Sequence, residues 1–313
     1  MTSSITLCIP SSCISRSNCK NLEQATFTAY QIARAACTYN VGEIVILDVP
    51  ENTEAEESNK IKFEEKNTTA SDSSRLLASL LQFFTTPSYL VKSVFQASVI
   101  EYFKIAKKLP KIPTLPYMQN DAAACFREGI SIPKMSVVKK NAEGKVVKKM
   151  KPATTKYVNT GEREILELEK EIPINTRVTV NTKTKSVVSP DEAYGKAGAL
   201  RTFGYHVRVA TRFSSLFTEP GYTEGYDRCI YVSSGDYLSN EQPATGLPSY
   251  QKESNKRLLL VVAKWNDIQK AFKYETIEGV TEPQQMMDCT LEIPLGTRIE
   301  DGVLVSLAKL EYP

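Results

Sequence analysis

The first forty-nine residues switch hydrophobic period twice, and that alternation restricts the fold more than any other feature of the chain. Ile5 to Ile9 reads as a short strand, Asn21 to Tyr39 as a helix and Glu43 to Val49 as a second strand. Ile44, Val45, Ile46 and Leu47 form an unbroken apolar run, as expected of a strand covered by helices on both faces. Asn21, followed three residues later by Gln24, predicts an N-cap with its capping-box partner. Along the helix Ala25, Ala29, Ile32, Ala33 and Ala36 make a stripe of mostly small residues, which allows close packing on a sheet. A strand–helix–strand opening of this kind belongs to α/β nucleotide-type domains and excludes most all-β and all-α folds.

At 313 residues the chain is long enough for a large core and for one or two domains. A net charge of +3 is too small to argue for nucleic acid by itself, so the distribution of charge has to decide that question. No apolar run approaches the ~18 residues that span a bilayer, and a basic segment followed by an apolar stretch is lacking at the N-terminus, so membrane insertion and secretion are not expected. Seven cysteines and one histidine occur, with no Cys-x-x-Cys pair. Reduced thiols in an intracellular compartment are expected, with no metal; a zinc site from Cys8, Cys13 and Cys19 is the weaker alternative, because the spacing fits no common knuckle.

Residues 50–74 are acidic and polar, with Glu51, Glu54, Glu56, Glu57, Glu64 and Glu65, and read as a mobile insertion. Leu76 to Phe84 and Tyr89 to Ala106 read as helices punctuated by Pro87. After Arg127 the pattern changes to β-branched runs at Met135–Val138, Val146–Val147 and Thr176–Val180, with a hairpin signal at Asn141–Gly144. The α/β pattern resumes from Pro190, with strands expected at 203–210, 228–233, 257–263 and 287–293 and helices near 266–273 and 301–311. The expected division is an α/β domain from 1–126 and 188–313, interrupted by a small β-domain at 127–187.

At this point a resemblance becomes specific. Ile32-Ala-Arg-Ala-Ala-Cys-Thr-Tyr-Asn-Val-Gly-Glu-Ile-Val-Ile46 resembles the opening motif of the SPOUT (α/β-knot) RNA methyltransferases, in particular a eukaryotic and archaeal subfamily with an inserted OB-like β-barrel. Phe126-Arg-Glu-Gly129, Gly204-Tyr-His-Val-Arg-Val-Ala210, Phe217-Thr-Glu-Pro220, Gly225-Tyr-Asp227 and Gly302-Val-Leu-Val-Ser-Leu-Ala308 follow in the same order. The resemblance implies a C-terminal trefoil knot that binds S-adenosyl-L-methionine, dimerisation through helices near the cofactor site, and an insertion that holds RNA. Threaded chains are rare, so periodicity alone does not predict the knot.

Three loops correspond to the family's cofactor cradle: Val232–Asp236 with Ser233, Ser234 and Gly235; Val262–Trp265 with Ala263 and Lys264; and Ile293–Glu300 with Pro294, Gly296 and Thr297. Such loops need glycine where backbone approaches adenine and ribose closely. All three depart from the family pattern: the first lacks a glutamate–arginine pair, the second has Ala263 and Lys264 in place of adjacent glycines, and the third is shorter. Arg34 matches a helix arginine that orients RNA or activates the attacking group, and as a permanent cation it can stabilise developing negative charge. Its alternative is an ion pair at the surface. His206 tempts as a general base, yet strand alternation puts it on the face opposite Tyr205 and Val207, and a structural or exposed histidine is expected. Lys134 to Lys156 carries eight lysines against Glu143 alone. Of these, Lys139, Lys140, Lys145, Lys148 and Lys149 flank the hairpin signal and suit phosphate contacts. Phe103, Tyr117, Tyr157, Tyr205 and Trp265 are expected in the core rather than stacked on bases.

Two functions remain open on these residues. One is a S-adenosyl-L-methionine-dependent RNA methyltransferase acting on pre-ribosomal RNA in large-subunit biogenesis in the nucleolus, as a homodimer or as a heterodimer with a related subunit. The other is a catalytically degenerate ribosome-assembly factor that keeps the fold and the RNA grip.

Overall fold

The computed structural model describes residues 4–50, 70–115, 125–133, 153–189, 192–193, 204–235, 246–253, 256–273 and 275–311. Along the chain its strands are β1 (Ser4–Pro10), β2 (Glu43–Leu47), β3 (Phe126–Ser131), β4 (Thr154–Asn159), β5 (Leu166–Pro173), β6 (Arg177–Asn181), β7 (Ser186–Val188), β8 (His206–Ala210), β9 (Arg228–Ser233), β10 (Arg257–Ala263) and β11 (Cys289–Thr290). The longer helices are α1 (Leu22–Thr38), α2 (Asp72–Phe84), α3 (Trp265–Phe272) and α4 (Ile299–Glu311). They form two compact units: Met1–Thr85 with Tyr102–Thr114 and Gly204–Pro313, and Thr86–Glu101 with Leu115–Phe203.

The first unit is built on a six-stranded sheet in the order β11-β9-β10-β1-β2-β8, with every pairing parallel. Parallel strands need both faces covered. Cys8, Val45, Leu47, Ala210, Cys229, Tyr231, Leu259 and Val261 point to one face, where Phe213, Leu216, Trp265 and Ile268 cover them. The alternating residues Leu7, Ile9, Ile44 and Ile46 are fully buried on the other face. The stripe of Ala25, Ala29, Ile32, Ala33 and Ala36 is buried throughout, and α1 packs against α2 and α4. The strand–helix–strand opening is therefore present as expected.

Asn21 caps α1 by accepting the Gln24 amide at 2.9 Å. Gln24 reaches back one residue further than in a standard capping box, accepting the Lys20 amide at 2.7 Å. α2 begins at Asp72, inside the stretch expected to be insertion. The Asp48 carboxylate, just past β2, accepts from the Ser71 amide at 2.8 Å, the Ser71 hydroxyl at 2.5 Å and the Ser74 hydroxyl at 2.7 Å. With Ser71 accepting the Ser74 amide, these bonds fix the first turn. Of the insertion, 51–69 lies outside the described residues.

The helix expected from Tyr89 to Ala106 is instead a series of short turns. Phe95 and Gln96 are extended between Val91–Val94 and Ala97–Ile100, and neither piece has a side-chain N-cap. The β-branched Val91, Val94, Val99, Ile100 and Ile105 have weak helix preference, and no cap offsets it. β11 is also shorter than expected; the Leu291 amide still reaches the Tyr231 carbonyl at 2.9 Å, but Pro294 follows and cannot donate.

The second unit is an antiparallel near-barrel in the order β5-β4-β3-β6-β7. The Glu169 amide on β5 donates to the Lys185 carbonyl beside β7 at 3.2 Å, which draws the edges together. Val158, Leu168, Val178 and Val180 form its core. Beside that core Glu128 is only 1% exposed, and its carboxylate accepts from Arg177 Nε and the Thr179 hydroxyl, both at 3.2 Å. A Cβ at the adjacent Gly129 would lie 2.4 Å from Val158 Cγ1, so β3 reaches β4 only with glycine there. Lys139, Lys140, Lys145, Lys148, Lys149 and the hairpin signal that they flank lie outside the described residues.

Removing the Glu128 carboxylate deletes a largely buried ion pair with Arg177 and the acceptor of the Thr179 hydroxyl. Glu128→Ala is expected to lower unfolding free energy by about 3 kcal/mol, measured by urea titration. A loss of under about 0.5 kcal/mol would show that the pair contributes little.

Candidate functional site

In open α/β sheets ligands bind outside the carboxyl ends of the strands. At that edge the register sets Ala263 of β10 beside Ser233 of β9. The chain just past each strand is cross-linked: the Ser234 amide donates to the Ala263 carbonyl at 3.2 Å, and Tyr231 Oη donates to the same carbonyl at 3.2 Å. The loop before α4 closes the third side. The Gly235 amide and the Ser234 hydroxyl both donate to the Thr297 carbonyl, at 2.7 and 2.9 Å, and Thr297 Oγ1 donates to the Pro294 carbonyl.

The structure thus gathers the three segments that the sequence singles out. Ser234 and Ala263 are buried, Ser233, Lys264 and Thr297 are half-buried, and Pro294 and Gly296 are exposed. Gly235 and Gly296 have φ of +88° and +76°, a region that side-chain-bearing residues rarely adopt. On Gly235 a Cβ would lie 2.7 Å from Lys264 Cε.

Arg34 is not part of this gathering. It lies on the exposed side of α1, twelve residues beyond Leu22 and so about 18 Å along the axis, where α1 returns toward the amino ends of the strands. Among the described residues no ion pair of its guanidinium is found. His206 is exposed at the amino end of β8, its amide donating to the Gly42 carbonyl at 3.0 Å. Phe103, Tyr205 and Trp265 are buried, Tyr157 is half-buried and Tyr117 lies outside the described residues.

Three features of this edge escaped the sequence. The Ser12 hydroxyl donates to Asp267 Oδ2 at 2.5 Å, joining the turn after β1 to the first turn of α3 across 255 residues. Arg298 Nε donates to the buried Glu300 carboxylate at 2.5 Å at the start of α4. Gly302 lets α4 approach Ser234, since a Cβ there would lie 2.4 Å from Ser234 Oγ and 3.2 Å from Ile293 Cδ1. Only Gly302 left a signal, as a glycine inside an otherwise helical run.

All seven cysteines are free thiols, and the described residues contain no group of three or more His, Cys, Asp or Glu side chains able to hold a metal. Burial pushes Cys8 and Cys37 up to about 12. Burial also raises Cys13 well above the ordinary thiol range, helped by Cys19, Glu300 and Asp267. No described helix is long and apolar enough to cross a membrane.

A family model described as "Putative RNA methyltransferase" matches residues 4–310. A Saccharomyces cerevisiae protein named as a "Putative methyltransferase" is 35% identical over 97% of this chain and 92% of its own length. A second protein of that yeast, named likewise, is 36% identical over 87% of this chain and 76% of its own. A human 28S rRNA (uridine-N(3))-methyltransferase is 26% identical over 94% of this chain and 74% of its own.

Two outcomes are expected from this geometry. Gly302→Ala should displace Ser234 and lower stability by about 2 kcal/mol, with faster hydrogen exchange at the Gly235 amide; unchanged exchange would mean that α4 tolerates the added methyl. A thiol reagent at pH 8 should label the half-buried Cys125 ahead of the six buried cysteines, and early labelling of Cys8 or Cys13 in peptide maps would contradict their burial.

Proposed function

The chain belongs to the RNA methyltransferase family whose model it matches from residue 4 to 310, and from that membership we propose that it methylates ribosomal RNA with S-adenosyl-L-methionine as donor. The observation that supports this best is that Ser234–Gly235 bond both to the Thr297 carbonyl and to the Ala263 carbonyl, joining the three segments at the carboxyl edge of the sheet. Gly235 adopts a left-handed backbone with the Lys264 stem packed over it, so a bound group would have to displace that stem. Ser233, Ser234, Gly235, Ala263, Lys264, Pro294, Gly296 and Thr297 would hold the donor. When bound, S-adenosyl-L-methionine supplies an electrophilic methyl group.

The chain's own part is orientation and electrostatics. Following the relatives named for uridine N3, that atom is the proposed acceptor. Arg34 is the proposed side chain that positions the RNA or stabilises charge developing on the base. It shares an exposed face of α1 with Phe27, seven residues earlier and 52% exposed, a face suited to a second copy or a related subunit. The proposal includes the knot, the division into 1–126 with 188–313 and an RNA-holding 127–187, and pre-ribosomal RNA in the nucleolus as the setting. Lys139, Lys140, Lys145, Lys148 and Lys149 are the proposed phosphate contacts.

One observation favours the second reading, an assembly factor without its own catalysis. The Gly235 and Ser234 amides already bond within the protein, and Lys264 lies over Gly235.

Radiolabelled methyl transfer to ribosomal RNA by the purified chain, alone and with a related subunit, separates the two. Incorporation that falls about a hundredfold in Arg34→Ala, with cofactor binding retained, is expected of the enzyme. No incorporation in either setting supports the assembly factor. Replacing Lys139, Lys140, Lys148 and Lys149 with alanine should weaken RNA binding and flatten the log–log salt slope by up to about 3.6. An unchanged slope removes the hairpin from the RNA interface.

A further inference from the structure

Two 3₁₀ turns, Glu101–Lys104 and Ala106–Lys108, are joined through Ile105, which keeps helical φ and ψ of −79° and −47°, and the chain turns extended at Leu109. Between Tyr102 and Thr114 stand Lys104, Lys107, Lys108 and Lys111 and no acid, so this stretch carries +4 where the whole chain carries +3. Its inner side is fixed. Phe103 is fully buried with its ring centroid 4.5 Å from that of Phe83 on α2, Ala106 and Ile112 are buried, and the second turn packs on α1.

Side chains three apart eclipse in a 3₁₀ run. The inward row of Phe103 and Ala106 therefore sets Lys104 and Lys107 in a second row, about 6 Å apart along the axis, with Lys108 next to them. All four lysines are exposed. Pro110 and Pro113 fix φ on either side of Lys111, so little backbone freedom is lost when the lysines meet a ligand. Among the described residues the ion pairs are made by other side chains. Four ammonium groups held on one rigid base repel one another, and a partner with repeated negative charge relieves that repulsion.

The chemistry of the stretch selects among polyanions. Among the described residues the exposed large apolar side chains lie elsewhere. The centre of a protein interface is apolar and poor in lysine, and a helix lying on a membrane buries an apolar face, so neither partner fits. Lysine grips phosphate as a point charge, and phosphate contacts position a nucleic acid without reading its bases. The chain belongs to an RNA methyltransferase family.

We propose that Lys104, Lys107, Lys108 and Lys111 form a phosphate-binding face for the RNA backbone on the α/β unit, separate from the lysines of Lys134 to Lys156. This rests on reading the chain as an RNA-binding protein and is independent of the crevice and of methyl transfer.

Fluorescence anisotropy with a labelled transcript of large-subunit ribosomal RNA tests it, between about 50 and about 200 mM salt. The proteins are the full wild-type chain, a variant with Lys104→Ala, Lys107→Ala, Lys108→Ala and Lys111→Ala together, and one with the same four lysines changed to arginine, each first checked by thermal unfolding. The alanine variant is expected to bind at least about tenfold more weakly at the lower salt, with the log–log slope flattened by about 2.8 on single strands or about 3.6 on duplex. The arginine variant, which keeps the charges, is expected to match the wild type in both. If the alanine variant matches the wild type in affinity and slope, the face is merely solvated, and the inference is wrong while the RNA reading stands. If the alanine and arginine variants weaken alike, the lysines act through packing rather than charge, and the inference is again overturned. If RNA binding is unchanged while binding to phosphatidylserine vesicles or to poly-glutamate is lost, the face serves a membrane or an acidic peptide, which also overturns it. If the wild-type chain does not bind the transcript, the RNA reading fails and the inference falls with it.

Discussion

At the carboxyl edge of the parallel sheet one carbonyl, that of Thr297, accepts both the Gly235 amide and the Ser234 hydroxyl. Each bond is worth only about 1 kcal/mol net, yet together they fasten the last helix to the end of β9. The attachment has two steric conditions. Gly235 must adopt a left-handed backbone to aim its amide inward, and Gly302 must lack a side chain so that α4 can reach Ser234. The parallel register supplies the third condition by ending β9 and β10 level with each other.

Local signals served the fold well where structure is decided locally. Asn21 and Gln24 announced α1, and the apolar runs at Ile44–Leu47 and Arg257–Ala263 announced strands buried on both faces. Local signals failed where a partner distant in sequence decides. Asp48 starts α2 from across the insertion, and missing caps break the chain after Tyr89. The three candidate segments were legible through a family resemblance, whereas the packing of Lys264 on Gly235 and the Ser12–Asp267 bond depend on which strands are neighbours. No periodicity encodes that adjacency.

The antiparallel unit divides its charges by position. Glu128 is buried and matched by Arg177 and Thr179, a structural use of charge that leaves nothing for a ligand. Glu167, Glu169 and Glu171 alternate along the exposed side of edge strand β5. A polyanion is repelled there. The same glutamates discourage β5 from pairing edge to edge with another sheet.

Asp48 has a consequence for how this protein tolerates change. Its carboxylate holds Ser71 and Ser74 directly, so the chain leaves the sheet and re-enters it at nearly one point, whatever lies between. Lengthening a closed loop is thermodynamically mild, at about 0.6 kcal/mol for each doubling. The Asp48 clasp is thus a fixed point that holds the start of α2 to the end of β2 independently of the length of chain that joins them.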